Sequence, residues 1–469
     1  MKLNKDKKQQ EAWGNGLLLA FVVMVLTIPS SWATELKMPN AGAVLKVPEI
    51  DAAITVEWVD TTNVGEWMRA GLSRSAQVRQ FEARERHARA RAGEARAEML
   101  PMLSLRHAEG RETSTGVGRV RDRHTTSSDS IRLTQNLVNA PAMLEWAGAN
   151  RQHSAAQWRL VARQQQEAQQ LAQAVIDMTS ALLVLEHANA NMQELQSILQ
   201  YIDARTRAGV GASMELERAR GRVLAAQQVQ VELQSTVRNR LVELATKTGL
   251  MGRHVQAPSS KDFGELPHSL EQAQAQAAQN NPLVLAMRQD IEAIEKQAAA
   301  VKGRLMPVVG LSLEQDQTEN IRGTNPKAKD KRVMVVATWN LSLGGREFYA
   351  VQQAGSNLSE KTAELDDLLQ KVGLLVQADW SLLEAATTRQ RVAATEVESA
   401  KAVMAGLREQ LAVGRIGSLL EALDTTERLF AANQRHIQAT QQALLAQTQL
   451  LLNMGEFKIE RKEARNVNE

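Results

Sequence analysis

Glu421 and Asp424 are the residues of this chain best suited to act on a charged species. They stand three positions apart in Ser418-Leu419-Leu420-Glu421-Ala422-Leu423-Asp424, which puts both carboxylates on one face of a helix. A solvated helix face often carries such a pair, but a duplication in the chain singles this one out. Ala208-Gly209-Val210-Gly211-Ala212-Ser213 recurs as Val413-Gly414-Arg415-Ile416-Gly417-Ser418. The positions matching the two acids in the first copy are Leu216 and Ala219, so the carboxylates belong to one copy alone. Catalytic chemistry finds no comparable footing. The chain has no cysteine, its eight histidines lack ligand spacing, and no Ser/His/Asp set or phosphate loop appears. No catalytic residue, metal ligand or cofactor is expected, and the chain is not expected to be an enzyme.

The elements that must hold these residues are long helices. None of the ten prolines lies between Pro141 and Pro258 or after Pro326, and an interior proline would break a helix. Leu171, Met178, Leu185, Met192 and Leu199 recur every seven residues, as do Leu423, Phe430, Ile437, Leu444 and Leu451. Sustained heptads predict helices packed lengthwise on other helices. A helix from Ala142 to about Arg205 would be roughly 95 Å long. The low aromatic content (3%) suits such packing, where small residues let backbones approach. At each tip, glycine is expected to supply the left-handed turn ending one helix, and Ser213 or Ser418 to cap the next.

Four short segments alternate with period two, each about ten residues, the length of a tilted membrane-spanning strand. Ile131, Leu133 and Leu137 oppose Arg132, Thr134 and Asn136. Val333, Val335, Ala337, Trp339, Leu341 and Leu343 form one face of another segment. Leu103 with Leu105, and Leu311 with Leu313, mark the remaining two. Four strands cannot close a barrel, and lipid does not tolerate open edges, so several protomers must contribute to one barrel. The N-terminus supports export: Lys2, Lys5, Lys7 and Lys8 precede an apolar run from Gly16 to Ile28 and a cleavage signal at Ser31-Trp32-Ala33. Removing it takes away four lysines against Asp6 and Glu11, lowering the formal net charge from +3 to about +1. The basicity therefore does not argue for a nucleic-acid partner. The arginines of the run Arg84 to Arg96 alternate with Glu82, Glu85, Glu94 and Glu98, and are expected to pair with them. No other stretch is expected to serve as a membrane helix.

In these features the chain resembles the TolC-like outer-membrane channels over essentially its whole mature length. The matching pieces are Glu98-Met99-Leu100-Pro101, Asn280-Asn281-Pro282-Leu283, the strand exit Trp339-Asn340-Leu341-Ser342-Leu343-Gly344-Gly345-Arg346, and the two Gly-Ser tips. The resemblance implies a mainly α fold with a transmembrane β-barrel. A homotrimer would build twelve strands and continue them as an α-helical tunnel across the periplasm. The implied segments are a signal peptide (1–33), an N-terminal periplasmic segment (34–61), a first repeat (62–250), an equatorial linker (251–269), a second repeat (270–455) and a tail (456–469). Strands fall at about 101–110, 129–139, 307–315 and 332–343. Long helices fall at about 141–205, 213–250, 345–412 and 418–455, with half-length helix pairs at 62–99 and 270–306.

The resemblance also assigns roles. Gly209, Ser213, Gly414 and Ser418 become docking tips for a periplasmic adaptor, and Glu421 with Asp424 become the periplasmic entrance gate. The remaining partner is an inner-membrane ABC transporter or a proton-driven pump. Basic loops (Arg119, Arg121, Arg123; Lys327, Lys329, Lys331, Arg332) would meet outer-membrane lipid phosphates. Two departures stand out: Trp339 is the one aromatic placed in a strand, and without cysteine the chain lacks the lipid anchor of some members. The unlipidated N-terminus and the strand exit lean towards type I protein secretion of an adhesin or toxin, with small-molecule efflux as the alternative. A periplasmic coiled-coil scaffold without a pore would explain the heptads but not the alternating segments.

Overall fold

The computed structural model describes residues 57–62, 64–116, 119–255, 257–321, 327–412 and 419–459. The chain divides into two units, Met1–Ala53, outside the described residues, and Ile54–Glu469, to which all that follows refers. The expected signal peptide therefore lies outside the described residues, as do Gly414 and Ser418.

Each repeat contributes two half-length helices, two strands and two long helices, in that order. The first contains α1 (Val64–Arg74), α2 (Ala76–Ala97), β2 (Met102–Gly116), β3 (Arg119–Val138), α3 (Ala140–Arg207) and α4 (Ser213–Thr248). The second contains α5 (Leu270–Asn280), α6 (Pro282–Gly303), β5 (Val308–Glu319), β6 (Ala328–Thr338), α7 (Arg346–Ala412) and α8 (Leu419–Met454). Helix α3 has 68 residues and α7 has 67, each about 100 Å at the usual rise. The start of α6 shows why Asn-Pro opens a helix: Asn281 Oδ1 accepts from the Leu283 amide at 2.9 Å, and Pro282 takes the position where no donor is needed.

One surrounding pair of strands was not legible in the sequence. β1 (Glu57–Thr62) runs parallel to β4 (Leu250–Val255), so the supposed linker at 251–269 begins in a sheet. A one-turn 3-10 helix (Ser260–Asp262) follows, with a reciprocal cap between Ser259 and Asp262. Around this level lies the largest core cluster, with Trp67, Val175, Met178 and Leu244 essentially inaccessible. Each large apolar side chain buried there contributes about 1.5–3 kcal/mol. α3 also contains a window of membrane-like mean hydropathy, 1.2, contrary to expectation, but 44% of that window is buried within the protein.

The four remaining strands form one antiparallel sheet in the order β2-β3-β5-β6. Each continues into a helix, and those helices pack in the same lateral order: α2 on α3, α3 on α6, and α6 on α7. Gly148 makes the α3–α6 approach possible, since a Cβ there would lie 3.2 Å from the Ala293 carbonyl oxygen. The strands exceed the expected ten residues: β3 has 20 and β2 has 15. Their outer portions pair residues such as Arg111 with Thr125 on one face and Glu112 with His124 on the other, polar on both faces. Alternation of polarity disappears there while hydrogen bonding continues. β6 ends earlier than expected, at Thr338, leaving Trp339 to Leu343 outside the strand.

Candidate functional site

Registers across the sheet separate two faces. Leu103, Leu133, Leu313 and Val333 oppose one another in one row, and Leu311 opposes Val335 in the next. Directly opposed residues project to the same side, so these side chains form one apolar face. It is exposed, with Leu105 at 71% and Val333 at 72%. A row of His107, Asp129, Gln317 and Lys329 ends it on the side away from the helices. On the helix side Trp339, Phe348 and Tyr349 are all exposed, the last two edge to face at 5.6 Å. The aromatic residues thus gather at the strand–helix junction, which a search confined to strands misses.

The opposite face is charged and internally paired. Ser104, Arg132, Glu314 and Arg332 form one row. Arg132 Nε donates to Glu314 at 3.1 Å, and Arg332 Nη2 donates to Asp316 at 2.5 Å. The Glu314 side chain is only 9% exposed between its two guanidinium neighbours. Arg332, expected in a basic loop, therefore belongs to this network. Along the same face, Val308 opposite Thr338 leads to a cleft lined by Arg304 and Arg346, so the polar face continues onto the helices.

At the far end, α3 and α4 meet in a turn. Gly209 adopts φ +75°, the conformation expected of it, and the Val210 amide donates to the Arg205 carbonyl at 3.0 Å. Ser213 does not cap α4. Ala212 occupies the cap position with no side-chain bond, and Ser213 is already the first helical residue. The turn is one residue shorter than a capping Ser213 would make it, and a Cβ at Gly211 would meet Thr206.

Beside this turn, Ala219 packs among Ile202, Leu407, Ala422 and Leu423 in a tip cluster. Glu421 is exposed and Asp424 half-buried. Two residues absent from the sequence reading complete the site. Arg222 lies 3.7 Å from Asp424 as an ion pair and donates a hydrogen bond to Glu427. Arg222 and Glu427 are 205 positions apart, the same offset that separates Gly209 from Gly414. They are equivalent positions of the two repeats, carrying opposite charges and meeting each other. A second tie, Arg408 to Glu194 at 2.8 Å, also joins the two hairpins. Two carboxylates, Asp424 and Glu427, thus share the Arg222 guanidinium at the tip. Among the described residues no cluster of metal-ligating side chains occurs.

A sheet apolar on one face and ion-paired on the other, carried on helices of this length, is that of a channel-forming protein of a bacterial outer membrane. The family model for outer membrane efflux proteins matches residues 67–250 and 273–456, and the chain belongs to that family. It is located in the outer membrane and extends into the periplasm, and the family is one of transport proteins rather than enzymes. The outer membrane efflux protein BepC of Brucella suis biovar 1 (strain 1330) is 29% identical over 193 residues, covering 40% of this chain and 42% of BepC. The match thus spans about two-fifths of that relative. The solved structure of CusC is 15% identical with TM-score 0.68, covering 90% of this chain and 99% of CusC. VceC of Vibrio cholerae is 14% identical with TM-score 0.66, covering 85% and 97%.

Proposed function

We propose that three copies of this chain form the exit duct of a tripartite exporter. The observation that carries this reading is the four-stranded sheet with unpaired outer edges on β2 and β6 and an exposed apolar face. In lipid every backbone group must be paired, so those edges have to join across copies. Three sheets of four strands make twelve, with the apolar face towards lipid, the charged face towards the lumen, and Trp339 and Phe348 at the interface. The helices continue the wall as a periplasmic tunnel.

Within that duct the tips at Gly209 to Ser213 and Gly414 to Ser418 dock the adaptor, which links the tunnel to an energised inner-membrane transporter. Glu421 and Asp424 ring the periplasmic entrance as six carboxylates and favour cations. Arg222 holds Asp424 and Glu427 and so fastens the inner hairpin to the outer one. The likeness to an efflux protein in the matched region of BepC, and the family itself, favour small-molecule efflux as the task. Type I protein secretion is the second reading, carried by the strand exit at Trp339 to Arg346. Deletion separates the two: drug sensitivity supports efflux, loss of a secreted protein supports secretion.

Because the native chain has no cysteine, the trimer is testable by paired introduction. One cysteine on β2 and one on β6, treated with a flexible bis-maleimide in outer membranes, should give a covalent trimer. Chains that remain monomeric, or a protein found soluble in the periplasm, would overturn the duct.

A further inference from the structure

Arg84, His87 and Arg91 lie on one side of α2, spaced three and four residues apart. They border a cleft of about 380 Å³ with Phe81, Gln152 and Arg159. Its one acid, Asp290 on α6, is already held by Arg159. The sequence pattern led to the expectation that the α2 arginines pair with neighbouring glutamates. Glu85 instead binds His153 at 2.6 Å, and Arg86 reaches Glu82 only at 4.0 Å. Arg84 lies over the Phe81 ring at 4.7 Å, and neither it nor Arg91 forms an ion pair among the described residues.

Arg84 over the Phe81 ring and Arg91 about two turns further along α2 thus present two exposed cations, unpaired among the described residues, to a partly apolar cleft. The volume falls within the range that holds small ligands. Its edge at Arg91 adjoins a second cleft along α6 reaching Arg304, which borders the cleft at Val308 and Thr338 on the charged side of the sheet. We infer that this cleft is a binding site for an amphipathic anion, an aromatic or alkyl carboxylate, sulfonate or phosphate. Arg84 and Arg91 would take the anionic head and Phe81 the apolar body. In the trimeric duct, a reading on which this placement rests, three such sites would stand on the lumen wall beneath the barrel. They would be waypoints for acidic substrates past an entrance that favours cations.

Naphthalene-2-sulfonate is a suitable probe, titrated calorimetrically into the detergent-solubilised full-length protein. Saturable binding of one molecule per chain is expected. Each guanidinium removed, Arg84→Gln or Arg91→Gln, should weaken it by about tenfold or more. Arg84→Lys with Arg91→Lys should retain part of the affinity, Phe81→Leu should weaken it, and neutral 2-naphthol should not bind saturably. Both arginines are exposed and unpaired, and an unchanged thermal midpoint checks that the variants fold. No saturable binding to the native protein, or equal binding by the double glutamine variant, overturns the site. Acidic side chains from a second copy filling the cleft would give that negative result. Block of single-channel current by the same sulfonate tests the lumen placement separately. Calorimetric binding without block would leave the site standing and contradict its placement on the lumen wall.

Discussion

The two ends of this molecule handle charge in opposite ways. On the polar face of the sheet, Arg132 and Arg332 bracket Glu314, and Asp316 completes the set, so two cations meet two anions. At the helical tip Asp424 and Glu427 share the guanidinium of Arg222, and Glu421 stands exposed beside them. Charge at the sheet end is spent on joining strands. Charge at the tip end is only partly paired: among the described residues Glu421 forms no ion pair, and on the proposed reading it acts on whatever approaches. On the proposed reading, the difference assigns selectivity to the periplasmic entrance and stability to the sheet.

The largest effect is expected from removing two of the tip carboxylates. Glu421→Ala with Asp424→Ala should weaken block by multivalent cations by about tenfold or more and bring the cation-to-anion permeability ratio close to unity. Unchanged block in single-channel recordings would break the comparison at its acidic end. Next comes Arg222→Ala, which cuts the tie from α4 to α8 and leaves Asp424 and Glu427 repelling each other along α8. The expected result is a looser tip and a severalfold higher unitary conductance, and a conductance equal to the native value would remove the lock.

At the sheet end the expected response is in stability. Glu314→Gln exposes two guanidinium groups to one another and should cost about 1–3 kcal/mol, read as a lower temperature of trimer dissociation in detergent. Block by cations from the tip side should not move. The smallest effect concerns a carboxylate remote from both ends. Burial raises the pKa of Asp379 above the ordinary aspartate value, with the hydrogen bond from Asn453 opposing it. A raised folded value favours the neutral acid, so its stabilising contribution is present below the unfolded value and lost as pH rises through the folded one. Asp379→Asn should therefore raise the thermal midpoint at pH 7, with the gain vanishing near pH 4 and below. A gain that grows on acidification would reverse the assignment.

Much of this architecture is written in local pattern. The heptads from Leu171 and from Leu423 mark helices because burial recurs with helical period, and Met178 and Leu451 are indeed inaccessible. The alternation at Ile131 and Val333 marks strands because one face meets an apolar medium. Gly209 marks the tip because its left-handed conformation suits few other residues. What escaped depends on distance along the chain. The parallel pairing of Trp58 with Met251 and the meeting of Arg222 with Glu427 join segments with no shared local signal. Arg222 could have been found by extending the repeat comparison one helical turn beyond Ala219. The cleft at Arg84 was masked by a sound local rule, since interleaved opposite charges usually pair, whereas here Glu85 is drawn away by His153 on α3.

The central claim, paired charge across the sheet and partly unpaired carboxylates on α8 at the tip, is tested most directly by sided block of an oriented single channel. Hexaamminecobalt(III) is added first to the tip side and then to the sheet side of a planar bilayer. Block at much lower concentration from the tip side, abolished in the Glu421→Ala, Asp424→Ala variant, is the predicted result. Equal block from both sides, or sidedness that survives the double substitution, would contradict it.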